Sequence, residues 1–124
     1  MASILRVNTL TDASSNNSTA MSTIFNGTAK VWAHVNQQSF AVDDSYNIAS
    51  ATDESTGNIT HNLTSAMVNS DYVPLGYYTP AASNAGTDDF AINIGTTSYE
   101  TRHFENNAQY DCGYRGSTVH GDLA

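Results

Sequence analysis

The chain has 124 residues, 40% hydrophobic and 10% aromatic, which fits one folded domain and argues against disorder. Twelve acidic residues against 4 basic ones give a formal net charge of -8, which excludes a basic footprint for nucleic acid and attraction to anionic membranes. A single cysteine, Cys112, excludes an intrachain disulfide or a cysteine-based zinc site within one chain, and its default reading is a small buried thiol.

Residues 4–10 alternate Ile4, Arg6, Asn8 and Leu10 against Leu5, Val7 and Thr9, and read as a short strand or extended arm. Thr11 to Thr23 is Ser, Thr, Asn and Ala with little to bury, a linker or a segment that orders only against a neighbour. Ile24 and Phe25 supply an apolar anchor. Residues 1–25 are therefore expected as an extended N-terminal arm for docking and assembly, and 26–124 as the domain proper. From Ala29 the pattern is clean. Ala29, Val31, Ala33 and Val35 face one way, and Lys30, Trp32, His34 and Asn36 the other. That period of two, with both faces occupied, predicts a central β-strand.

Residues 39–50 read as one or two strands, with Asp43-Asp44-Ser45 as punctuation. Asp53 to Asn58 is a turn signal, and 46–52 with 58–64 read as a hairpin. Ser65 to Ser70 is irregular around Met67. Tyr72 to Tyr78 is a strand in which Pro74 removes a ladder donor, predicting an edge position or a bulge. Pro80 to Asp88 is a loop, then Phe90, Ile92 and Ile94 share an apolar face and Tyr99 to Phe104 alternates. Ala108, Tyr110, Cys112 and Tyr114 are expected on one face, and no element is assigned to Ser117 through Ala124. Helical periodicity over three turns is absent. About eight short strands predict an all-β fold, a small antiparallel β-sandwich or jelly-roll-like domain. No apolar run approaches a membrane span, and the N-terminus is too short and polar for a signal peptide, so synthesis in a cytoplasm is expected.

Residue types that carry chemistry are present without the spacing chemistry needs. His34, His61, His103 and His120 fall on separate predicted strands, and packed or interfacial histidines are favoured over metal ligands. Asp43-Asp44 and Asp88-Asp89 are adjacent in sequence, so neither is a glycosidase pair facing across a cleft; a turn or loop is expected for both. Asp53, Glu54 and Asn58 do not follow an EF-hand spacing. There is no Gly-X-Ser-X-Gly elbow and no phosphate-binding loop. No cofactor, no metal and no enzymatic activity are expected. The aromatic set is the more informative one: Tyr72, Tyr77, Tyr78, Tyr99, Tyr110 and Tyr114, with Trp32, suit protein contacts or sugar stacking.

Three stretches, taken in order, resemble a group of tailed-phage virion proteins common among marine phages of cyanobacteria and pelagic bacteria. They are Ser3 to Asp12; Asn26-Gly27-Thr28-Ala29-Lys30-Val31-Trp32 continuing through Ser45 to Ser50, Gly57 to Thr60, Ala66-Met67 and Asp71-Tyr72; and His120-Gly121-Asp122-Leu123-Ala124. Members usually have Ala in place of Val31, Asn in place of His34, and often Phe before the final Gly-Asp-Leu. The resemblance implies a phage structural protein, tail-fibre-like or a capsid decoration (cement) protein, assembled as a homotrimer. It would sit on the virion surface, on the capsid or tail, after synthesis in the host bacterial cytoplasm. The partners implied are further copies of itself and the major capsid or tail proteins. Host surface glycan is the alternative partner, read by a fibre tip, and a capsule-degrading enzyme would need two carboxylates converging in a groove. The residues expected at subunit contacts are Ile4, Leu5, Val7, Leu10 and Phe25 in the arm, and Trp32, His34, Tyr77, Tyr78, Tyr110 and Tyr114 in the domain.

Overall fold

Apolar residues at every second position are buried when strands stack as two sheets face to face, and the chain does this. A computed structural model describes residues 4, 6–15, 17–79, 87–105 and 107–124. The elements run β1 (Thr9–Thr11), β2 (Ser18–Ala20), α1 (Met21–Gly27), β3 (Val31–Asn36), β4 (Ala41–Tyr46), β5 (Ile48–Ser55), β6 (Asn58–Leu63), β7 (Val73–Thr79), β8 (Thr87–Ile92), β9 (Ser98–Glu105), β10 (Ala108–Gln109) and β11 (Tyr114–His120). The fold is all-β with antiparallel sheets and one short helix.

One sheet has the order β4-β3-β11-β7. In the other, β5 pairs β6 and β6 pairs β9. Strand β9 meets β6 through Ser98–Arg102 and β10 through Phe104–Glu105, while β8 runs along it from Glu100 to Glu105. Each edge of a strand takes one partner at a time, so β8 holds one edge of β9, and β6 and β10 share the other end to end. The small hairpin β1–β2 stands apart from both sheets.

Between the sheets, Val31, Ala33 and Val35 of β3 and Val119 of β11 meet Ile59 and Leu63 of β6 and Tyr99 of β9. Met67 and Tyr72 close the aliphatic end. Each of the larger aliphatic side chains here contributes about 1.5–3 kcal/mol by leaving water. The buried phenols keep partners: Tyr72 donates to the carbonyls of Gly95 (2.7 Å) and Ser98 (3.1 Å), and Tyr99 Oη lies 2.7 Å from Ser117 Oγ. The end of the chain is fastened across this region. Leu123 bridges Met67, Val68 N donates to Asp122 O (2.9 Å), and Ala124 N donates to Ala66 O (2.9 Å).

The expected alternation of β3 is observed, and the strand lies between β4 and β11. Pro74 does sit on an edge strand, β7. It is paired with Val119, whose carbonyl is taken by Lys30 N at 2.8 Å on the β3 side. The Val119–Pro74 pair is thus the non-hydrogen-bonded kind, and the missing donor of Pro74 falls on the free edge.

Other expectations are corrected. Asp43-Asp44 does not interrupt the chain but lies inside β4, where the pairing with β3 shifts between His34 and Val35. An extra residue is absorbed there as a β-bulge. Asp88-Asp89 likewise belongs to the backbone of β8, not to a loop. The loop expected at 80–86 lies outside the described residues. The turn expected over Asp53–Asn58 is tightened to Thr56–Gly57, with β5 running on through Ser55. Residues 11–23 are not a plain linker, because they hold β2 and the start of α1. Residues 108–114 are not one strand: Cys112 is buried while Tyr110 and Tyr114 are exposed. The ladder stops there because side chains take over the backbone donors. Gln37 Oε1 accepts from Cys112 N at 3.3 Å, and Asp111 turns inward to accept from Gln37 Nε2 (3.0 Å) and Gly57 N (2.6 Å).

Gly57, at φ +71, is the tightest point of this arrangement. A Cβ there would stand 2.7 Å from His103 O and 2.8 Å from Tyr110 N. Positive φ and backbone on two sides leave no room for adjustment. Gly57→Ala is expected to lower stability by about 2–4 kcal/mol. A urea midpoint within error of the wild type would show that the turn can reorganise.

Candidate functional site

The outer faces of the two sheets differ in chemistry. On the β5-β6-β9 sheet the outward groups are amides, hydroxyls and charges. Asn62 Nδ2 donates to Ser50 Oγ (3.1 Å) and Thr52 Oγ1 (3.3 Å), and Glu100 accepts from Asn58 Nδ2 (3.3 Å) and Asn93 Nδ2 (2.7 Å). Most of the groups on this face pair with one another, while Asn58 Oδ1 and Arg102 Nε are buried without a hydrogen-bond partner among the described residues. Phe90 of β8, stacked on Phe104 with centroids 5.5 Å apart, is its main apolar feature.

The outer face of the β4-β3-β11-β7 sheet is apolar and aromatic. Side chains of cross-strand partners project to the same side, so register places them in rows. Tyr46, Trp32, Thr118 and Leu75 make one row. Asp44, His34, Gly116 and Tyr77 make the next, and Asn36 and Tyr114 stand beyond it. Val73 and His120 pair on the other side of the Trp32 row. Leu75 is 56% exposed, Tyr77 54%, Tyr46 53% and Trp32 39%. Large apolar side chains on β4, β3 and β7 thus share one exposed face, with Thr118 of β11 between Trp32 and Leu75.

The floor of that face is shaped by Gly116. A Cβ on it would fall 1.8 Å from Tyr77 Cε1, so the tyrosine ring lies flat over the glycine backbone. Beside it the His34 and Tyr114 rings stack at 5.0 Å and 18°. The bulge in β4 turns Asp43 onto the same side, with Oδ2 3.2 Å from His34 Nδ1. Both rings are thereby held in fixed orientations, and their edges stay open to solvent.

A second cluster is buried at the polar end of the sandwich. Arg115 crosses from β11 and donates through Nη1 to the carbonyls of Gly57 (3.0 Å) and Thr101 (3.2 Å). His103 and Glu105, two residues apart on β9, both face inward, with Nε2 3.6 Å from Oε1. His61 stacks on Tyr99 at 4.8 Å and shares a hydrogen bond with Thr101 Oγ1 at 3.1 Å. Its Nδ1 has no hydrogen-bond partner among the described residues. Burial, with the Arg115 charge adding to it, pushes the His61 imidazole down to about 4. Burial likewise pushes the Tyr99 phenol up to about 12. This cluster joins the sheets and is closed to solvent, with His61, His103 and Arg115 all buried.

The structure sorts the expected contact residues. Trp32, His34, Tyr77 and Tyr114 come together on the aromatic face. Tyr78 lies in β7 opposite Arg115. Tyr110 is exposed on the connection after β10, away from the face. Ile4, Val7, Leu10 and Phe25 are exposed in the arm, and Leu5 lies outside the described residues. Phe25, expected as an anchor, instead lies half exposed in the last turn of α1 under the Lys30 ammonium, which is 3.5 Å from the ring centroid. Tyr72 and Tyr99, grouped above with the contact tyrosines, are core residues. Leu75, Tyr46 and Val73 complete the face and escaped the sequence reading; the alternation of Val73, Leu75 and Tyr77 was the available signal.

Comparison of the chain with protein families, curated proteins and solved structures finds no match.

The depressed basicity of His61 predicts a stability profile. Between pH 6.5 and 4 the unfolded chain binds a proton on this imidazole that the folded chain refuses. Its contribution is full above pH 6.5 and falls as pH drops toward 4, by roughly 3 kcal/mol. Urea midpoints measured at stepped pH are expected to decline over that window, and less steeply in His61→Phe. Equal slopes would assign the decline to other groups.

Proposed function

We propose that the protein is a non-enzymatic structural component of a tailed-phage virion, a trimeric surface decoration or short fibre-tip protein whose sandwich is jelly-roll-like. The observation that carries this reading is the aromatic sheet face. A chain whose interior is already filled still shows Trp32, Tyr46, Leu75 and Tyr77 to water on one side, and a polar surface on the other. Association would remove that apolar area from water, the main driving force between subunits. The sequence resemblance supplies the setting. Its motifs fall on structural parts of the chain: Lys30 at the entry to β3, Gly57 at the β5–β6 turn, and Ala66-Met67 paired with the C-terminal Asp122-Leu123-Ala124.

The same face also carries Asn36, Asp43 and Asp44 beside Trp32 and Tyr46, the combination of stacking ring and hydrogen-bonding rim that suits a sugar. Recognition of host surface glycan by a fibre tip is the second reading. Binding on a glycan array, or blocking of phage adsorption by soluble protein, supports it, and a clean negative favours decoration alone.

Trp32→Ala tests the first reading. Far-UV circular dichroism is expected to stay unchanged, while sedimentation shows association weakened by about 2 kcal/mol, roughly 30-fold. An unchanged assembly would remove the aromatic face from the subunit contact.

A further inference from the structure

Two apolar surfaces are left largely uncovered by the described residues. One is the sheet face around Trp32, Leu75 and Tyr77. The other is on the arm. In α1, Met21, Ile24 and Phe25 stand at i, i+3 and i+4 and form one stripe, opposite Ser22, Thr23 and Asn26. No residue of α1 is buried, and Met21 of this helix and Leu10 of β1 are exposed. Strand β1 and helix α1 each pack on β2, and none of the three packs broadly on a strand of either sheet.

The arm is tied to the β4-β3-β11-β7 sheet through a short link. Only Thr28, Ala29 and Lys30 join α1 to β3. Lys30 is buried and clamps this link: its N–H donates to Val119 O (2.8 Å), and its ammonium donates to Phe25 O and to Thr28 Oγ1 (2.9 Å). The clamp fixes the end of α1 beside Lys30, and among the described residues α1 makes no broad contact with any strand of the β4-β3-β11-β7 sheet.

We propose that the arm of one copy docks on the Trp32–Leu75–Tyr77 face of a second copy, with Leu10 and Met21 as the inserted side chains. This rests on the self-assembly reading above and names its contact. Charge selects the arm over a second sheet face as the occupant. In residues 1–25, Arg6 and Asp12 cancel; the other 3 basic and 11 acidic residues leave -8 on residues 26–124. Face against face brings two strongly acidic bodies together, whereas a neutral arm adds no such repulsion. Symmetry points the same way. A face-to-face contact is isologous and stops at two copies, while arm-to-face is heterologous, the type from which the trimer proposed above is built when its rotation closes, and an open filament when it does not.

Two variants of the full chain test it by sedimentation velocity: Leu10→Glu/Met21→Glu in the arm, and Leu75→Glu on the face. All three positions are exposed within one chain, so strand content by circular dichroism is expected to hold; Trp32→Ala replaces Leu75→Glu if it does not. Wild type is expected to assemble and each variant alone to sediment as a monomer. An equimolar mixture is then expected to give a 1:1 dimer, because the intact arm of the face variant meets the intact face of the arm variant. Assembly of either variant alone, or a mixture that stays monomeric, would overturn arm docking and leave self-assembly standing. A monomeric wild type would overturn both.

Discussion

Arg115 carries a positive charge from β11 through the interior and spends it on two carbonyls of the opposite sheet, those of Gly57 and Thr101. A buried guanidinium is costly unless its donors are met, and breaking such an arrangement costs several kcal/mol. The β5–β6 turn is therefore held at one place relative to β11. Around it the other constraints fall into line. Gly57 O also accepts from His103 N (2.8 Å), Gly57 N donates to Asp111, and Asp111 brings in Gln37 from the β3–β4 connection. One polar knot thus fastens β3, β6, β9 and β11, while the other end of the sandwich is aliphatic and depends on shape alone.

That division of labour frees the outer surfaces. With the interior closed, neither outer face is needed to hold the sheets together, and the two have diverged in chemistry. The β5-β6-β9 side presents a ladder of amides and hydroxyls to water. The Trp32–Leu75–Tyr77 side presents apolar and aromatic side chains instead. The His34–Asp43 contact and the Tyr77 ring over Gly116 set the shape of the face before anything binds, which lowers the ordering cost of association.

How much of this was legible in the sequence depended on how unlike the two faces of each strand were. Strand β3 was readable because Val31, Ala33 and Val35 alternate with Trp32, His34 and Asn36. Strand β11, a central strand, was not, because its inward residues Arg115 and Ser117 look like surface residues. Nothing local says that their end of the interior is polar. The tyrosines illustrate the same limit. Tyr72 and Tyr99 are core and Tyr77 and Tyr114 are surface, a distinction set by partners such as Gly95 and Ser117 that lie far off in sequence. The break between β10 and β11 was hidden for a related reason: the Gln37 side chain that replaces the ladder is 75 residues away from Cys112. Four of the expected contact residues nevertheless converge on one face.

The proline on β7 has a last consequence. A Thr- and Tyr-rich chain of low charge density, offering an open strand with Val73, Leu75 and Tyr77 in alternation, has the makings of an amyloid template. Residue 74, second in that strand, presents no N–H to an incoming strand, so an added ladder lacks a donor at that end. The rim of the sheet is thereby made a poor place for another strand to pair, while the broad side is left as it is.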